Sequence, residues 1–169
     1  MADKVLFISG YSNTGKTTTT TEIIKLLSNN GYRKVSSQPT GQQNIDEICL
    51  FEGLDKTGNN IKIVINTAAD NVASVNNFDS FLSQNPCDII ITARQNLENI
   101  RQRISDTVQK YLSADNSILE LPLGKMTQRA TNLINANNWY LTSVEKLVKH
   151  ILKEAPYNLN IWKIYSIKD

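Results

Sequence analysis

Four residues at fixed spacing carry the clearest chemistry in this chain: Gly10, Gly15, Lys16 and Thr17, within GYSNTGKT. A glycine at position 10 lets the backbone turn sharply. A glycine at position 15 leaves room for a bulky anion, because no side chain stands in the way. The main-chain N–H groups of residues 13 to 17 can then converge on phosphate oxygens. Lys16 is placed to reach β and γ phosphates, and the Thr17 hydroxyl to bind a Mg²⁺ ion bridging them. The expected phosphate-binding residues are Gly10, Tyr11, Ser12, Asn13, Thr14, Gly15, Lys16, Thr17 and Thr18, with Thr17 on the metal.

Such a loop works only where a strand runs into a helix. The run VLFI, ended by Ser9-Gly10, predicts a buried parallel strand. After Lys16, residues Ile23, Ile24, Leu26 and Leu27 mark one apolar helical face, and Asn29-Asn30-Gly31 stops it. The threonines at 17 to 21 are poor helix formers, and phosphate at the helix N-terminus would hold that first turn. Residues 32–45 read as a polar loop with a short strand at 34–37. EICLF (47–51) and IKIVI (61–65), joined by a turn-rich segment, predict an antiparallel hairpin over 47–65.

Residues 72–82 then predict a helix, with Val75, Phe78 and Leu82 on one face. CDIIIT (87–92) predicts a buried strand. Leu97, Ile100, Ile104, Val108 and Tyr111 predict a helix with Asn96 as its N-cap. ILELPL (118–123) reads as a last core strand and 126–137 as a short helix. Thr142-Ser143-Val144-Glu145 matches a capping box and predicts a helix start there. The tail IWKIYSI (161–167) is a candidate edge strand. There is no internal repeat and no low-complexity linker. Strands alternating with helices predict one α/β domain over 1–169, a three-layer sandwich with a mainly parallel central sheet.

In its loop and in this order of elements the chain resembles the P-loop NTPases. Gly10, Gly15, Lys16 and Thr17 match the Walker A pattern without a departure; beyond it the resemblance rests on element order over residues 4–123. It implies binding of a nucleoside triphosphate with Mg²⁺, and hydrolysis or transfer of the terminal phosphoryl group. The family also places an Asp at a core strand end to hold the metal's shell. Here INTAAD (65–70) resembles the hydrophobic-D-T-A-G element, with Asn66 in place of Asp and Ala69 in place of Gly. Asn66 can hydrogen-bond a metal-bound water but offers no charge, so Asp70 is the candidate metal-supporting acid. A loop or helix-capping role is the competing reading of Asp70. No N-K-x-D occurs, so guanine specificity has no support and ATP is the default ligand. In a GTPase-like arrangement residues 36–44 would be a switch, with Thr40 completing the metal shell; a plain surface loop is the competing reading.

Arg94 follows the 87–92 strand on the side where ligands collect in open α/β sheets. It is the candidate phosphate clamp or internal arginine finger. Arg101 and Arg103 read as solvated helix residues. Glu52 and Asp55 read as turn residues. A single histidine, His150, argues against a Ser-His-Asp triad.

Composition narrows the classes further. The net charge is +2, and residues 1–90 carry 7 basic and 9 acidic side chains against 11 and 7 in 91–169. That asymmetry is too mild to indicate a nucleic-acid partner. Cys49 and Cys87 lie in apolar runs and read as buried reduced thiols. No stretch approaches the apolar length of a membrane span, so a cytoplasmic protein is expected. The expected function is Mg²⁺-dependent hydrolysis of the terminal phosphate of ATP or another nucleoside triphosphate, with Lys16, Asp70 and Arg94 as catalytic groups. The protein would then be a switch for a protein partner. Two alternatives stay open: a kinase for a small-molecule or nucleotide acceptor, and a non-catalytic nucleotide-binding module.

Overall fold

Continuous burial of the first apolar run builds the centre of the fold. The computed structural model describes residues 1–40, 46–125 and 133–162. Strand β1 (Ala2–Gly10) sends Leu6 and Ile8 to one face of a sheet and Val5 and Phe7 to the other, all buried. A strand buried on both faces needs a helix layer on each, as the continuous run VLFI implied.

Helix α1 (Lys16–Asn29) follows, then β2 (Arg33–Pro39), β3 (Glu47–Leu54) and β4 (Asn60–Asn66). Helix α2 (Val72–Gln84), β5 (Ile89–Gln95), α3 (Glu98–Gln109), β6 (Leu112–Pro122) and α4 (Leu133–Lys153) complete the order. The six strands form one sheet in the order β2-β3-β4-β5-β1-β6. Strands β4, β5, β1 and β6 run parallel, while β2 and β3 are antiparallel to their neighbours. The predicted hairpin over 47–65 is therefore the β3–β4 pair.

On one face α1 and α4 cover Leu6, Ile8, Ile63, Ile65, Ile89 and Ile91. On the other, α2 and α3 cover Val5, Phe7, Val64 and Ile90 with Val75, Phe78, Ile100 and Ile104. Each such side chain contributes about 1.5–3 kcal/mol on burial. The result is a three-layer α/β arrangement around a mixed, mostly parallel sheet. Both cysteines are buried within it, and burial pushes each thiol up to about 12, so neither is a ready nucleophile.

Four local expectations are corrected. Residues 36–39 belong to β2, with Ser36 opposite Leu50 and Gln38 opposite Ile48, so the expected switch loop is partly strand. Asn71, not Asp70, caps α2: its side chain accepts from the Ser74 N–H, and Ser74 answers in a capping box. Leu97, not Asn96, occupies the N-cap of α3. Helix α4 begins by Leu133, so the Thr142–Glu145 pattern lies inside it rather than at its start. Residues 126–132 of the expected short helix and 163–167 of the expected edge strand lie outside the described residues. Among the described residues, no helix is long and apolar enough to cross a membrane.

Candidate functional site

The loop after β1 is held at its base by both neighbouring strands. The Ser9 carbonyl accepts the Leu123 N–H at 2.7 Å, beyond the end of β6, and the Gly10 carbonyl accepts the Asn96 N–H at 3.1 Å, beyond β5. A Cβ at Gly10 would stand 2.4 Å from Thr14 Oγ1 and 3.2 Å from the Leu123 carbonyl, so the turn requires glycine. Thr14 closes the loop by donating its hydroxyl to the Tyr11 carbonyl at 2.9 Å.

The backbone then curls inward through two left-handed residues, Asn13 (φ 60°) and Gly15 (φ 92°). Left-handed residues set between right-handed ones gather successive N–H groups into an anion-sized concavity. Among the described residues, no main-chain N–H from Tyr11 to Thr18 makes a well-aligned hydrogen bond to a protein acceptor, the turn at Ser12–Asn13 being only loosely closed; the first to do so is Thr19, to the Gly15 carbonyl at 2.8 Å. No side chain caps α1 either. The first N–H groups of any helix lack intrahelical partners, and here those of exposed Thr18 and half-buried Thr17 are open to an anion.

Lys16 closes the site. Its side chain is buried, and its Nζ donates to the Tyr11 carbonyl and to Gln95 Oε1, both at 2.8 Å. An ammonium has three donors, so one is left over for a ligand. Burial lowers the Lys16 pKa and the nearby Asp70 charge opposes that shift. The Thr17 hydroxyl donates to the Thr67 carbonyl at a long 3.4 Å, a weak bond easily exchanged for a better partner.

Asp70 stands exposed in the segment after β4, close enough for its charge to act on both Lys16 and Asp46. Asp46 just precedes β3, and its pKa is raised, first by burial and then by Asp70. Asp70 is thus the acid whose charge acts on Lys16, and Asp46 is coupled to Asp70 rather than to the loop. Among the described residues no group of three or more carboxylate, imidazole or thiol side chains could hold a metal alone.

Other expected residues are placed elsewhere. Arg94 does not reach the loop. It lies buried on the α2–α3 face, over the Phe7 ring at 4.4 Å, paired with Glu120 and donating to Ser105 Oγ at 3.1 Å. Asn66 is fully buried, and its Nδ2 donates to Thr92 Oγ1 at 3.1 Å, while its Oδ1 has no partner among the described residues. Thr40 is buried at the end of β2, with its N–H on the Asp46 carbonyl. Glu52 pairs with Arg33 and Lys62, and Asp55 accepts from Thr57 and Asn59 in the turn at the opposite end of β3.

Two site residues were not anticipated, Gln95 and Asp46. Gln95 could have been found by continuing the CDIIIT strand through ARQ, since alternation puts it on the face of Ile91 and of α1. Asp46 carried no signal beyond its place before EICLF. Compared with known proteins, the chain matches no family model, no curated protein and no solved structure.

Proposed function

We propose that residues 10–18 bind the phosphates of a nucleoside triphosphate with Mg²⁺, and that the protein hydrolyses the terminal phosphate. The observation that carries this reading is the run of open main-chain donors from Tyr11 to Thr18 curled around the Lys16 amine. Open amides in a rigid loop stabilise phosphate charge without reorganising, which is the main source of rate in phosphoryl transfer. Lys16 would turn its third donor to the β–γ bridge while keeping Tyr11 and Gln95. The Thr17 hydroxyl, Asp70 and Asp46 are the groups that would hold Mg²⁺, which when bound neutralises charge on the β and γ oxygens. Gln95, beside the Lys16 amine, would face the γ position with an amide able to orient water.

Binding without turnover is the second reading, and the uncharged Asn66 at the end of β4 favours it. Titration with ATP and Mg²⁺, followed by phosphate release, separates the two. Lys16→Ala is expected to stay folded and to lose at least about a hundredfold in ATP affinity. Unchanged affinity in a folded Lys16→Ala variant would end the reading. Phosphate release by the wild type supports hydrolysis, tight binding with none supports the second reading, and a phosphorylated acceptor would mark a kinase.

A further inference from the structure

Beside the loop, α1 and α4 diverge to leave a groove of about 240 Å³. Its walls include Thr18, Glu22 and Leu26 from α1 and Asn138, Thr142 and Glu145 from α4. Leu141 joins groove and loop: it lines the groove, and its Cδ2 lies 2.9 Å from where a Gly15 Cβ would stand. Thr18, whose N–H is the last open donor of the loop, lines the groove mouth.

The loop's own side chains set which way a triphosphate would lie. Its γ end belongs at the Lys16 amine, held between the Tyr11 carbonyl and Gln95, and beside the Thr17 hydroxyl. Its α end would then leave past Thr18, which lines the groove against α4. The first space met there has apolar walls from Ile23 and Val148 and a polar rim. Apolar walls with a few placed polar groups make the usual environment of a bound base.

We infer that this groove receives the nucleoside, with ribose at Thr18 and Asn138 and an amino-bearing base against Leu141 and Glu145. The inference rests on the reading of residues 10–18 as a phosphate site. An ionised carboxylate only accepts hydrogen bonds, so Glu145 selects a base edge that donates. Adenine, guanine and cytosine present an exocyclic amine with two N–H donors; uracil presents only its ring N3–H, flanked by two carbonyls that a carboxylate repels.

The test is calorimetric titration of the full chain with tripolyphosphate, ATP and UTP, each with Mg²⁺. Position 142 is exposed on α4, so Thr142→Trp fills the groove without touching the core. ATP affinity should fall at least about tenfold in that variant, while tripolyphosphate affinity stays within about twofold. The wild type should prefer ATP to UTP, and Glu145→Gln should shrink that preference. Unchanged ATP affinity in Thr142→Trp, with tripolyphosphate still bound, would place the nucleoside elsewhere. Equal losses of both ligands would also overturn the inference. Failure of the wild type to bind either ligand would instead defeat the phosphate-site reading.

Discussion

Arg94 and Gln95 are sequence neighbours on opposite faces of one sheet. A strand sends successive side chains to opposite sides, so Gln95 meets Lys16 while Arg94 packs under α3. Arg94 is thus part of the core, with its guanidinium between the Phe7 ring and Glu120. Arg94→Ala should cost about 2–4 kcal/mol in urea unfolding, from the lost packing and the unpaired carboxylate. ATP affinity should be unchanged in the folded variant; a large loss would restore the phosphate-clamp role. Asp46 tests the coupling to Asp70. Its folded-state pKa is raised, so the folded chain holds that proton more tightly than the unfolded chain does. The associated stability is present below the ordinary Asp pKa and is lost as pH rises through the raised value. Asp46→Asn should therefore raise Tm at pH 7, by about 2 °C, and the gain should shrink toward pH 4. The same variant should weaken ATP binding severalfold in Mg²⁺ and little in its absence. A gain in Tm that does not vary with pH would contradict the assigned environment.

At the scale of elements, α1 begins without a side-chain cap just beyond the buried end of β1. Its first turn carries threonines, has no side-chain cap, and has Thr20 donating back to the Lys16 carbonyl at 3.0 Å. A ligand on the open N–H groups would supply the missing cap. Amide hydrogen exchange over residues 19–22 should slow at least about tenfold with Mg²⁺ and ATP, and much less in the last turn of α3. Equal protection of both would place the ligand elsewhere. These elements also show what the sequence made legible. The run VLFI followed by glycine, and the stripe Ile23 to Leu27, could be read because one residue period dominated each. The sequence pattern ends β5 at Thr92 because Arg94 and Gln95 are polar, although the fold buries both. The pattern T-x-x-E at Thr142–Glu145 marks a helix start only where the preceding residues are not helical, and here α4 already runs from Leu133. Asp46 joined the site through the antiparallel return of β3, a long-range pairing that local sequence does not encode.

Across the whole molecule, the sheet order sets the geometry of the site. With β1 between β5 and β6, the loop is pinned from both sides, and β4 brings Asp70 in across β5. The α1–α4 layer then leaves a groove that Thr18 and Leu141 line beside the loop. The most direct test is a ¹⁵N–¹H correlation spectrum of the full chain titrated with ATP and Mg²⁺. The amide resonances of Tyr11 to Thr18 should shift more than any others, with the largest changes at Gly15 and Lys16, and the shifts should vanish in Lys16→Ala. Loop resonances that stay in place at millimolar ATP, or shifts confined to another part of the sheet, would contradict the account.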